Sequence, residues 1–157
     1  MKENVLDVLV YLFQNFLDDD TAVRFDRDSM QTDLLDAGFP LTEIHKAFDW
    51  MDGLAARQGQ ATAAVVSRAI RIYSDEEVDK LDVECRGFLM YLEQLGILSA
   101  ESRELVIDRA MALNEEDFDA EDLKWVVLMV LFSQPGQEDA YAWMENLVFE
   151  NFTGYLN

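Results

Sequence analysis

Few residues of this chain have types and spacing suited to chemistry. There is one histidine, His45, and one cysteine, Cys85. Carboxylates concentrate in two runs, Asp18-Asp-Asp20 and Asn114-Glu-Glu-Asp-Phe-Asp-Ala-Glu-Asp122. A calcium loop needs alternating oxygen ligands, glycine at its sixth position and glutamate at its twelfth. Counted from Asp18 the sixth residue is Val23, and counted from Asp117 the sixth and twelfth are Asp122 and Leu128, so neither run fits. Structural zinc wants four Cys or His ligands, which are lacking. A Cys85–His45 nucleophile pair is formally available. Yet Cys85 shares a helical stripe with Leu81, Phe88 and Leu92, which reads as a small core residue. Glycine-rich phosphate loops and a nucleophile-elbow motif are absent from the sequence. The expectation is therefore no catalytic residue, no metal site and no cofactor.

The elements that would position these residues are helices. Only 2 Pro and 7 Gly occur in 157 residues, too few for the frequent turns of an all-β chain. Apolar residues recur at helical spacing from Val5 to Leu17, predicting a first helix over about 3–17. Asp26 or Asp28 starts a second helix that Gly38 closes, with Pro40 beyond it. Thr42 caps a third. Ser74 and Glu77 form a capping box that opens a long helix through Leu92 to Gly96. Ser99 and Asp119 cap the next two, and a last helix runs from Glu138 to about Phe149. The fold class expected is all-α: about seven helices in two lobes. Residues 1–57 form a three-helix lobe, 58–73 a linker with a short extended piece near 70–73, and 74–157 an acidic helical lobe. Trp50, Trp125 and Trp143, with Met90, Met111 and Met129, read as internal.

Thirty-two acids against twelve bases give a net charge of −20, yet half the residues are hydrophobic, so the charge must coat a folded core. The imbalance is local. Residues 1–73 hold twelve acids and seven bases, whereas 74–157 hold twenty and five, a net of −15. Such a surface repels phosphate backbones and anionic lipid, which excludes direct nucleic-acid binding and membrane association. The longest apolar run, Trp125–Phe132, is far short of the ~20 residues a membrane helix needs. Early charges at Lys2, Glu3 and Asp7 speak against a signal peptide, and a lone cysteine requires no oxidising compartment, so the cytoplasm is expected.

Several blocks together resemble one family. They are Asp7-Val-Leu-Val-Tyr-Leu-Phe13, Asp36-Ala-Gly-Phe39, Ala47-Phe-Asp-Trp50, Arg71-Ile-Tyr73, Cys85-Arg-Gly-Phe-Leu89 and Asp122-Leu-Lys-Trp-Val-Val-Leu-Met-Val-Leu-Phe132, with Pro135-Gly136. The chain is similar over nearly its whole length to the Smg family of bacterial proteins. That resemblance implies a housekeeping context near DNA-processing and translation functions. It carries over no site residue, because the family has no established active site.

The function expected is a non-enzymatic adaptor or regulator that binds a basic partner protein, such as one handling DNA or RNA, through an acidic helical surface. The residues expected to meet it are Glu115, Glu116, Asp117, Asp119, Glu121 and Asp122, the densest acid cluster. The same residues equally suit a solvated loop and helix start. The alternative is a small enzyme or ligand-binding protein with a pocket between the lobes, using His45, Arg68, Arg71 or Arg86. Self-association through the apolar 123–132 helix, or through Phe149, Phe152 and Tyr155, is a third possibility.

Overall fold

Asn4 opens the first helix by a capping box. Its side chain accepts the Asp7 N–H at 2.9 Å, and Asp7 accepts the Asn4 N–H at 3.3 Å. In the computed structural model that helix is α1, Val5–Leu12. The structure describes residues 4–14, 27–57, 72–113, 118–134 and 136–154, and of residues 57 and 149–154 only the backbone. Eight helices lie in these segments, and the described residues include no strand. The chain divides into two compact units, Met1–Gly53 and Leu54–Asn157, with the division falling inside a helix.

The first unit comprises α1, α2 (Arg27–Asp36) and most of α3 (Leu41–Arg57). Its core is Val5, Leu6, Val8, Leu9, Leu12 and Phe13 from the α1 segment, Met30 and Leu34 from α2, and Ile44, Ala47, Phe48 and Trp50 from α3. Gly38 closes α2 at φ +101°, a left-handed conformation that costs glycine little. The Phe39 N–H reaches the Leu34 carbonyl at 3.1 Å and the Gly38 N–H reaches Leu35 at 3.0 Å, a Schellman motif. Thr42 is not the cap of α3. The helix already begins at Leu41, and the Pro40 carbonyl takes the Glu43 and Ile44 N–H groups at 3.1 Å, which leaves Thr42 inside the first turn.

The second unit is built around α7, Ala120–Ser133. Its residues Leu123 and Val126–Leu131 are all buried, as an all-round apolar helix requires. It packs against α6 (Ala100–Met111), α8 (Glu138–Gly154) and α5 (Val83–Gln94). The Ser102 hydroxyl at the start of α6 donates to the Gln134 side chain just beyond α7 at 2.9 Å, so the two helices run antiparallel. Phe132 at the end of α7 meets Tyr141 at the start of α8, ring centroids 5.5 Å apart.

The long helix expected from Ser74 to Gly96 is two helices. The Ser74–Glu77 capping box is present and opens α4, Asp75–Lys80. Leu81 then turns extended, at φ −97° and ψ 101°, and its side chain is fully buried. Asp82 re-caps the chain by accepting the Cys85 N–H at 2.9 Å. A second N-cap, Asp82, eight residues after Ser74 is the physical reason for the break. Residues 70–71 of the expected extended piece lie outside the described residues, and Ile72–Tyr73 have no regular structure.

Asp82→Ala removes this cap. It should destabilise the second unit by about 1 kcal/mol, read as a lower urea midpoint with unchanged slope. An unaltered midpoint would show that the break does not depend on Asp82.

Candidate functional site

Three of the six acids singled out in the sequence lie among the described residues, and all three sit at the start of α7. Asp119 is the N-cap. Its carboxylate accepts the Asp122 N–H at 2.9 Å, and the Asp122 carboxylate accepts the Asp119 N–H at 3.2 Å. Phe118 and Leu123 occupy the staple positions on either side of this cap, and both are buried. Glu121 points outward and accepts from the Lys124 ammonium at 2.9 Å. Two of the three carboxylates thus also serve the helix start. Glu115, Glu116 and Asp117 lie outside the described residues.

The bases show a pattern that sequence reading missed. Residues 74–157 contain five: Lys80, Arg86, Arg103, Arg109 and Lys124. Each is half-buried or buried, and each is engaged within the chain. Lys80 lies over the Phe118 ring at 5.8 Å, and Lys124 lies over Phe88 at 5.9 Å. The Arg86 guanidinium donates to the Leu81 carbonyl at 3.1 Å, a group exposed by the break between α4 and α5. Arg103 reaches Glu93 and Glu104, both at 2.9 Å. Burial works against its charge, but the two glutamates outweigh that and hold its pKa above the ordinary arginine value. Arg109, 5% exposed, pairs with Asp108 at 2.8 Å. Meanwhile Asp75, Glu76, Asp79, Glu84, Glu101, Glu138 and Asp139 are exposed. The cations are drawn inward and most of the described anions are left outside, so the surface is more one-signed than the sequence count suggests. Long apolar stems let lysine and arginine be used in this way.

The residues of the ligand-pocket reading are not assembled into a site by what is described. His45 is exposed on α3, Arg86 is committed to a backbone carbonyl, and Arg68 and Arg71 lie outside the described residues. Cys85 is fully buried, and burial, with the Asp82 carboxylate beside it, pushes its thiol up to about 12. A thiol held protonated is a poor nucleophile. Among the described residues no group of three or more His, Cys, Asp or Glu side chains is arranged to hold a metal ion. Nor is any described helix long and apolar enough to cross a membrane.

Four side-chain expectations need correction, Met111 among them because it is half-buried at the end of α6. Met90 is not internal but 57% exposed, because α5 buries the opposite face through Cys85, Leu89 and Leu92. Trp125 and Trp143 are half-buried, whereas Trp50 is buried as expected. Trp143 lies at the edge of the core against Tyr91, ring centroids 6.4 Å apart.

A family model described as "Protein of unknown function (DUF494)" matches residues 5–157. The chain is similar to "Protein Smg homolog" of Methylococcus capsulatus, 63% identical over the full length of both chains. It is 60% identical to the Smg homolog of Stenotrophomonas maltophilia over 95% of each chain, and 55% identical to that of Nitrosococcus oceani over 100% of each. No solved structure matches it.

The Cys85 shift has a consequence for stability. Its folded pKa lies above the ordinary thiol value, so its contribution is complete below about pH 9 and is lost as pH rises toward 12. Urea midpoints of the native chain should fall more steeply than those of Cys85→Ala between about pH 9 and 11. Parallel slopes would rule out a buried, neutral thiol.

Proposed function

We propose, from the premise that the chain belongs to the DUF494 family of the Smg homologs, that it is a non-enzymatic cytoplasmic adaptor or regulator that docks a basic partner protein. The docking surface is the anionic exterior of the Leu54–Asn157 unit, including the start of α7 and the acids that lead into it. One observation carries this reading: all five bases of residues 74–157 are withdrawn into intrachain contacts, while most of the described acids of that segment stay exposed. A net of −15 with no exposed cation among the described residues of that segment attracts positively charged proteins and repels nucleic acid. Such attraction raises encounter rates and selects the sign of the partner more than it adds affinity. Its range is about 8 Å at physiological salt.

The acids are not equivalent for testing this. Asp119 and Asp122 hold the α7 cap, so replacing them alters folding as well as charge. Glu121 takes no part in that cap, and Glu115, Glu116 and Asp117 lie outside the described residues. Converting these four to amides should leave the thermal midpoint within about 2 °C, as surface changes usually do. Retention of a basic partner in affinity purification should drop several-fold, and about 150 mM salt should weaken it in the parent chain. If the partners recovered are acidic, or if the four amides and added salt leave recovery unchanged, the electrostatic reading fails.

A further inference from the structure

The outer face of α5 is unlike the rest of this acidic surface. At 100° per residue, Val83, Gly87, Met90 and Gln94 fall within about 60° of one another, opposite the buried Cys85, Leu89 and Leu92. None of the four is charged. Val83 is 75% exposed, Met90 57% and the neighbouring Tyr91 49%. The 4-3-4 spacing is that of a seam made for another helix. Gly87 adds an independent observation. It stands in mid-helix, where glycine is the poorest ordinary choice, its φ is not positive, and a Cβ built there would meet nothing within 4 Å. Neither the backbone nor the packing of this chain calls for glycine at that position. Close approach of another backbone does.

The geometry points to the Val83–Gly87–Met90 face of α5 as the seat of an amphipathic helix of a basic partner, its apolar stripe over Gly87 and its lysines or arginines at the edges. The charges that border the stripe choose this occupant over a second copy. Glu84 is exposed along one edge, Asp82 lies at the helix start, and Glu93 flanks the other edge, its charge held by Arg103. Arg86 turns back to the Leu81 carbonyl, which leaves Glu84 as the exposed charge beside the stripe. Two copies meeting here would oppose like charges on chains of −20 each. A helix with apolar anchors and cationic flanks meets both features. This inference rests on the anionic-adaptor reading and sharpens it, since it adds an apolar requirement that charge alone does not impose.

The probe is a synthetic peptide of about five helical turns, with leucines at i, i+3, i+4 and i+7 and lysines on both flanks, paired with a scrambled peptide of equal composition. Fluorescence anisotropy at about 150 mM salt should show the patterned peptide binding roughly tenfold tighter or more. Gly87→Leu, which blocks close approach, and Met90→Ser, which removes an anchor, should each abolish that preference while leaving binding of the scrambled peptide unchanged. The thermal melt of Gly87→Leu should match or exceed the parent, and that of Met90→Ser should fall only slightly, serine being the poorer helix former. Equal binding of the two peptides overturns the helix seat and leaves the electrostatic reading standing. Binding of neither overturns both. A preference that survives both variants places the apolar requirement elsewhere and overturns the seat. Light scattering that shows a dimer of the parent and a monomer of Met90→Ser overturns it in favour of a second copy.

Discussion

The all-round burial of α7 is the constraint on which the second unit depends. Seven of its residues, Leu123 and Val126–Leu131, leave water together, and at roughly 1.5–3 kcal/mol for each fully buried large apolar side chain no other element of that unit matches it. A helix apolar on every side cannot rest on one neighbour. It needs α5, α6 and α8 around it, each lending one face. The polar ties at its ends follow from that placement. Ser102 meets Gln134 where α6 begins and α7 ends, and Lys124 covers Phe88 where α7 begins beside α5.

The same demand decides which charges remain outside. Lysine and arginine bring three or four methylenes with each charge, so they can cover a ring edge or reach a carbonyl in the frame around α7. Aspartate and glutamate bring less apolar surface and suit helix starts, as at Asp82 and Asp119. Packing therefore sorts the two signs, with Arg109 at 5% exposure and Glu121 at the rim as the extremes. The anionic exterior arises from building an acidic chain around a dry central helix. That explains how it forms without a single acid having to be placed for a ligand.

Much of this was legible in the sequence, because helix termini are local. The caps at Ser74, Ser99 and Asp119 need only a side chain and the next three residues, and all three form as the pattern implies. Gly38 and Gly96 close helices for an equally local reason, positive φ. The division of the 74–96 segment was harder, since Leu81 fits the helical stripe whether or not the helix continues through it. Its buried side chain and the Asp82 cap together favour the break. The fates of Met90 and of the five bases were not legible at all. They depend on which face of α5 meets α7 and on where Phe88 and Phe118 lie in space, which are long-range outcomes.

Charge sorting also has an internal cost. A net of −15 spread over the outside of one segment repels itself, and this self-repulsion works against the compact state. The buried bases reduce it only locally, as where Arg103 gathers Glu93 and Glu104. Added salt screens the repulsion and so favours the free fold, yet it weakens attraction to a cationic partner. A basic partner of the kind proposed would relieve the same repulsion and stabilise the fold by mass action. On the proposed function, folding and binding would draw on one electrostatic term with opposite dependence on salt. An acidic surface kept only for solubility would couple stability to salt and leave partner binding out of that relation.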